Sequence, residues 1–445
     1  MKKKYMAITM MVCFLAAALL LSCGLFSNDD NSSNLNNNTG IVDIVKIDAK
    51  ELLSPYGEPD PAAQTIADGA NDFAFRLSSA LLENTGDKNF VCSPFSVWLP
   101  LAALANATNV QNKAALLAAM GAAGMDETDV NRTASRILYC LTKQQDRDND
   151  YAEYYNPLKI ANAIFVGKNV TLLTEFAQTF MDFFRGSSIN VDFSTQDAVD
   201  AVNQWASDNT DGLIKKVVQE FDPLTVSAIA NAIYFSDKWK EEFDPIKTKE
   251  DVFYTPSGES TAYYMLREGR SQIYFEDSRV QAMPLHFAQG GGMYIILPKA
   301  GSAAELLASM TKDYFMEVHE NRQLGNGRLL LPRFSMDNDI DNLKEALIKL
   351  GVPLFDEYSA PLTGGLIKED LPVFLTDAVQ KALINVDEKG TTAAAVTVVT
   401  ASTTSGPPEG IPFEMICNRP FVFILYENTY DGGAQILFTG VVCKP

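Results

Sequence analysis

Histidine is nearly absent from this chain, which holds only His286 and His319 in 445 residues. A Ser-His-Asp triad needs one of them, and no Gly-x-Ser-x-Gly elbow supplies a nucleophile. His286 sits in the strand-like Met283-Pro284-Leu285-His286-Phe287 and His319 on a polar helical stretch, so both read as ordinary histidines. The six cysteines show no CxxC spacing, which removes zinc and redox motifs. Asp337-Asn338-Asp339-Ile340-Asp341 lacks the turn glycine of a calcium loop, and Ile348 stands where its bidentate acid belongs. Capping of a helix before Leu343 explains those acids better. Gly290-Gly291-Gly292 precedes no helix and therefore makes no phosphate cradle. No metal, no cofactor and no enzymatic activity are expected. Positive charge is scarce too: 36 Lys and Arg against 56 Asp and Glu leave a net charge of −20. That balance argues against nucleic acid, polyanions and anionic membrane surfaces as partners.

What the chain does have is core material, with 47% hydrophobic residues. At its start, Lys2-Lys3-Lys4 precedes an apolar run from Met6 to Leu21. This reads as a secretory signal, too short to span a membrane comfortably. Its ending, Leu20-Leu21-Ser22-Cys23, resembles the bacterial lipobox, in which the cysteine takes up lipid before cleavage. The expected organisation is a signal at 1–22, a lipidated tether at 23–62 whose stretch from Gly24 to Gly40 is rich in Asn, Ser and Asp, and one folded domain at 63–445. A lipid on Cys23 would hold the protein in the bacterial cell envelope, outside the cytoplasm, with no other membrane contact.

Apolar residues at helical spacing (Ala70, Phe73, Ala74, Leu77, Leu81) begin the domain. A short strand at 89–92 meets Ser93-Pro94, a cap and first turn for a helix over 97–107 that is apolar nearly all round. Further helices are expected at 112–119, 129–143, 174–184 and 197–208. Strands are expected at 158–166, 225–235, 293–297, 328–334 and 376–387, with a closing hairpin at 421–426 and 435–442. The mixture points to an α+β domain.

One stretch is unusual. After Asp387-Glu388-Lys389-Gly390, residues 391–405 contain no charge, proline or glycine and nothing larger than valine. Alternate positions Thr391, Ala393, Ala395, Thr397, Val399 and Ala401 are all small, and Thr and Val favour strands. Gly390 and Gly406-Pro407-Pro408 bracket the run as if it were an exposed loop. It reads as an ordinary strand, as a Ser/Thr/Ala linker, or as a loop built to enter a sheet.

Five islands carry a resemblance to a known family. Asn89-Phe90-Val91-Cys92-Ser93-Pro94-Phe95-Ser96, Asn231-Ala232-Ile233-Tyr234-Phe235-Ser236-Asp237-Lys238-Trp239, Leu331-Pro332-Arg333-Phe334, Asp387-Glu388-Lys389-Gly390-Thr391 and Asn418-Arg419-Pro420-Phe421-Val422-Phe423 occur in the order found in serpins. From about Ala63 onward the chain resembles that family. The resemblance implies three sheets, eight or nine helices and an exposed reactive loop, here about 388–412. It implies a monomer that inhibits a serine protease: the loop is cut as bait, then inserts into the main sheet and traps the acyl-enzyme. Glu388, Gly390, Thr391, Ala393, Ala394 and Ala395 match the hinge of that loop. Ser93, Ser96 and Asn231 match the shutter beneath the sheet, and Trp239 matches the breach where insertion begins. Gln380 stands where many serpins carry a shutter histidine; it hydrogen-bonds but cannot titrate.

Counting as the family does, with Glu388 as one, the scissile bond follows the seventeenth residue, between Thr404 and Ser405. Bonds after Ala401 or Val399 are alternatives, because the run from Ser405 to Asn418 is longer than usual. No Lys or Arg occurs from Gly390 to Cys417 and no aromatic before Phe413. Small side chains suit elastase-like or subtilisin-like proteases. The rival reading is a non-inhibitory serpin acting as a surface binding or chaperone-like protein, a class whose hinges tend to be bulky, charged or proline-containing. Finally, Cys417 and Cys443 are equally distant from Tyr430, so a regular hairpin centred there would place them opposite each other, within reach of a disulfide.

Overall fold

The structure is a computed structural model. It describes residues 41–45, 50–54, 60–83, 85–143, 158–210, 212, 214–221, 225, 227–376, 378, 380–391, 410–429 and 433–445. In chain order the elements are β1 (Ile41–Val45), α1 (Pro61–Leu82), β2 (Phe90–Cys92), α2 (Pro94–Ala105), α3 (Val110–Ala119), α4 (Glu127–Lys143), β3 (Leu158–Gly167), α5 (Thr174–Phe184), β4 (Gly186–Val191), α6 (Gln196–Asp208) and β5 (Ser227–Phe235). There follow β6 (Lys249–Thr255), β7 (Gly258–Glu276), β8 (Val280–His286), β9 (Gly292–Pro298), α7 (Ala303–Ala308), α8 (Lys312–Glu320), β10 (Gln323–Pro332), β11 (Phe334–Ile340) and α9 (Leu343–Lys349). The last strands are β12 (Gln380–Val386), β13 (Ile411–Ile416), β14 (Phe421–Asn428) and β15 (Ala434–Val442).

Nine α-helices among the described residues and three strand assemblies make an α+β fold. A nine-stranded assembly runs β13-β10-β7-β8-β9-β14-β15-β2, with β6 paired to β7. A four-stranded sheet runs β1-β4-β3-β5, and β11 pairs with β12 alone. The largest core lies between the nine-stranded sheet and helices α1 and α2, and includes Phe73, Trp98, Ile295, Phe423 and Leu437. The apolar sequence of α2 follows from its place: Trp98 is fully buried and donates its indole N–H to the Met120 carbonyl at 3.1 Å. Such burial contributes about 25 cal/mol per Å² of apolar surface. A second cluster (Phe165, Ile189, Val191, Phe193, Val202) packs α6 onto β3 and β4.

Three expectations need correction. The strand expected at 328–334 is two strands broken at Arg333, β10 beginning already at Gln323 and β11 running on to Ile340. The tether expected to reach residue 62 contains a strand: β1 pairs antiparallel with β4, Ile44 opposite Ile189 and Val45 opposite Ser188. Its Ile-Val-x-Ile-Val composition is β-branched, but its partner lies far away in sequence and gives no local signal. Third, Cys417 and Cys443 are both buried free thiols. Asn428 pairs with Ala434, a register centred one residue beyond Tyr430, and a further shift between Leu425 and Tyr426 sets Phe421 opposite Val442, so the two cysteines do not face each other.

Candidate functional site

The four-stranded sheet and the β11–β12 pair belong to one layer with a gap in it. β5 and β12 approach each other, yet no ladder joins them among the described residues. A cavity of about 720 Å³ lies along this line, walled by Leu101 and Leu104 of α2, Trp205 of α6, Asn231 of β5, Leu347 of α9 and Gln380 of β12. Both facing strand edges therefore have room for an extended segment.

The middle of the gap is closed from below by a relay of neutral groups. Ser93 caps α2, accepting from Ser96 N–H at 3.4 Å while its hydroxyl donates to the Leu437 carbonyl at 2.8 Å. That fixes the backbone of Ser93 under β12, where the Gln380 amide grips it twice. Gln380 Oε1 accepts from Ser93 N–H at 2.9 Å, and Nε2 donates to the Ser93 carbonyl at 2.8 Å. On the other side the Ser96 hydroxyl donates to Asn231 Oδ1, Asn231 Nδ2 donates to Asn162 Oδ1 at 2.7 Å, and Asn162 Nδ2 donates to the Phe184 carbonyl at 2.7 Å. β12 and β5 are thus linked through Ser93 and Ser96 at the head of α2. Ser93, Ser96, Asn231 and Gln380, expected to act together, are in one network; Asn162 joins them, and its place in the strand hid its role.

At the head of the gap the chain turns at 387–390. Lys389 N–H donates to Asp387 Oδ1 at 2.9 Å and Asp387 N–H to the Gly390 carbonyl at 3.0 Å, a turn that Asp and Gly favour. The strand end after β5 wraps this turn: Trp239 donates its N–H to the Lys389 carbonyl (2.7 Å) and its indole N–H to the Asp387 carbonyl (2.9 Å), and Phe243 N–H donates to the Glu388 carbonyl (2.8 Å). Trp239 itself stacks on Phe287, ring centres 4.8 Å apart. Gly390 has φ +149°, and a Cβ there would stand 2.1 Å from the Asp237 carbonyl oxygen, so no other residue fits.

Glu388 is 5% exposed and clamped by Arg333, whose Nε and Nη2 approach its carboxylate at 2.8 and 2.6 Å, and by the Thr248 hydroxyl. Burial pushes the Glu388 carboxyl upward, but hydrogen bonds from Arg333 and Thr248 outweigh it and hold it below the usual glutamate range. Arg333 lies in a motif visible in the sequence, but nothing local pointed to its partner. Thr391 is already seated: its N–H donates to the Asp237 carbonyl at 2.9 Å, and Asp237 N–H donates to Thr391 Oγ1 at 3.0 Å. Residues 392–409 follow, so Ala393, Ala394, Ala395, Thr404 and Ser405 lie outside the described residues, as does Cys23.

The His286 carbonyl accepts from Lys240 N–H at 2.9 Å, next to Trp239. His319 shares a 3.0 Å hydrogen bond with the Tyr294 hydroxyl, and burial with nearby Arg322 lowers its pKa to about 4. A family model described as serpin, serine protease inhibitor, matches residues 68–445. The chain is a serpin. It is similar to rat alpha-1-antiproteinase (27% identity over 403 residues, 89% of this chain and 93% of that protein). The alpha-1-antiproteinase of Callosciurus caniceps is similar at 28% over 404 residues, again 89% of this chain and 93% of that protein. Among solved structures, native tengpin, a thermophilic serpin, superposes with TM-score 0.75 at 24% identity, over 90% of this chain and 98% of its own. Serpin48 of the insect Tenebrio molitor gives TM-score 0.73 at 26%, over 87% of this serpin and all 100% of that chain. Arg333, Thr248 and Asp237 are the groups that hold Glu388 and Thr391 at the head of the gap.

Proposed function

We propose that this serpin inhibits elastase-like or subtilisin-like serine proteases by letting its loop be cut near Thr404–Ser405 and inserting the freed strand between β5 and β12. The observation that carries this reading is the seated Thr391 at the head of an unpaired slot. The next alternate residues, Ala393 and Ala395, are small enough to follow it, and no proline interrupts the run before Pro407. Each added ladder bond contributes roughly 0.5–1.5 kcal/mol, so a dozen or so release on the order of 10 kcal/mol, comparable to the stability of a whole domain. Trapping requires this insertion to outrun hydrolysis of the acyl-enzyme. Supporting the choice of target, the loop offers neither a basic nor an aromatic side chain from Gly390 to Pro412.

The protein acts as a monomer and, through Cys23, as a lipid-anchored guard of the cell envelope. Mixing it with pancreatic elastase and running a denaturing gel tests the reading. A stable band at the summed mass supports it; trapping of trypsin with elastase running free rejects the target assignment. Cleavage without any complex, with every protease tried, favours the non-inhibitory class.

A further inference from the structure

We propose that anchoring through Cys23 turns the far end of the slot toward the lipid, so that a trapped protease is carried to the membrane side of this serpin, into a space kept open by the tether. The inference rests on the insertion and anchoring readings above. The route of the cut loop follows from the strand registers. Thr391 N–H donates to the Asp237 carbonyl, and Gly390 bridges Lys238 in the antiparallel sense. Continued along β5 in that register, the loop brings Ala401 opposite Ser227, the first residue of β5. Thr404, which would carry the acyl bond to the protease, is three residues further on and so about 10 Å beyond that end.

The same end of the sheet receives the chain from the tether. Ile41, the first residue of β1, pairs with Val191; Val191 pairs with Gly167, the last residue of β3; and Val166 beside it pairs with Ser227. These residues form one row across the sheet. Four strand spacings of about 4.8 Å separate Ile41 from the inserted loop, roughly 20 Å in all. The head of the slot, where the uncut loop is rooted at Thr391, is the other end of the same strands, where Leu158 pairs with Phe235. Bait and tether therefore leave the sheet at opposite ends, and insertion carries the cut end from one to the other.

What the tether must supply is clearance. Residues 24–40 lie outside the described residues, and their number and charge set what they can do. Ile41 follows Cys23 by eighteen residues, a reach of at most about 60 Å. A protease domain of about two hundred residues measures roughly 45 Å across, so the tether is long enough to admit one. Between Gly24 and Gly40 the only charges are Asp29 and Asp30, so no cation draws this stretch down onto an anionic surface.

To test this, the acylated protein is placed in phosphatidylcholine vesicles that carry an acceptor dye, and donor-labelled elastase is added. Covalently trapped elastase should transfer energy to the lipid dye severalfold more efficiently than elastase whose catalytic serine is replaced by alanine, which binds the uncut bait and stays at the head. A second variant, lacking Asn28–Asn38, keeps only seven residues from Cys23 to Ile41, a reach of about 25 Å. On vesicles this shortened protein should be cut at the parental bond yet give about tenfold less covalent complex, while in detergent solution it traps as the parent does. Equal energy transfer from the two elastases, or equal trapping by both proteins on vesicles, would overturn the proposal and leave the insertion reading intact. Absence of any covalent complex in detergent would sink the insertion reading, and failure of the protein to float with vesicles would sink the anchor; the proposal falls with either.

Discussion

At the head of the slot Glu388 is gripped by Arg333 and Thr248, and Thr391 is locked against Asp237, whereas the middle is closed by Ser93, Ser96, Asn231 and Gln380 without a single charge. Under the proposed insertion, the two regions have opposite tasks. The head must keep the hinge attached to the sheet before and after insertion, and a buried carboxylate with a guanidinium partner suits a contact that never lets go. The middle must part and close again. Neutral hydrogen bonds, each worth about 1 kcal/mol net, exchange partners at low cost, whereas a buried charge left unpaired mid-way would add several kcal/mol to the barrier.

The comparison can be broken most severely at the hinge. Thr391→Arg puts a cation where Thr391 is 4% exposed, at a cost of several kcal/mol unless the side chain escapes. Insertion slows while the bait is untouched, so the variant should be cut at the parental bond and release active elastase, with the covalent band reduced about tenfold or more. Undiminished complex on a gel would refute the seating argument.

A smaller effect is expected in the middle. Asn231→Ala strands the Ser96 hydroxyl and Asn162 Oδ1, costing about 1–3 kcal/mol and lowering the melting temperature of the intact form by a few degrees. Trapping should persist, since no charge is left unpaired; its loss would show that the middle is more than a latch.

Acid sharpens the contrast further. Glu388 has a depressed pKa, so its contribution is fully present above the ordinary glutamate value of 4.5 and is lost as pH falls through the lower folded value. Glu388→Gln should remove that acid step, read by Trp239 fluorescence, whose indole bonds the Asp387 carbonyl. The middle should not respond to pH at all in the parent. Gln380→His changes this: a half-buried imidazole loses its native pairing once protonated, so stability falls as pH drops below about 6.5. A melting temperature of the histidine variant that matches the parent at both pH 8 and pH 5 would contradict the role assigned to Gln380.

Much of this architecture was legible in the sequence because its signals are local. Ser93-Pro94 marks a helix start, Asp387-Glu388-Lys389-Gly390 a turn, and the small alternate residues after it a strand-competent run. The contacts that hold the site were not, because they join residues far apart: Glu388 to Arg333, Thr391 to Asp237, Ser96 to Asn231. β1 escaped notice because its partner β4 supplies the reason for its order. The disulfide failed on register: the hairpin pairs Asn428 with Ala434, one residue off the expected centre, and the shift at Leu425 carries it further. An unfilled slot is harder still, since neither β5 nor β12 carries in its own sequence any mark that the other is not its ladder partner.

The central claim, that the slot between β5 and β12 is kept for this chain's own loop, is tested most directly by thermal unfolding before and after a single cut in the loop. With about 10 kcal/mol released on insertion, the nicked protein should melt at least about 10 °C above the intact one. A nicked protein that melts at or below the intact temperature would mean that the loop, once cut, does not enter the sheet.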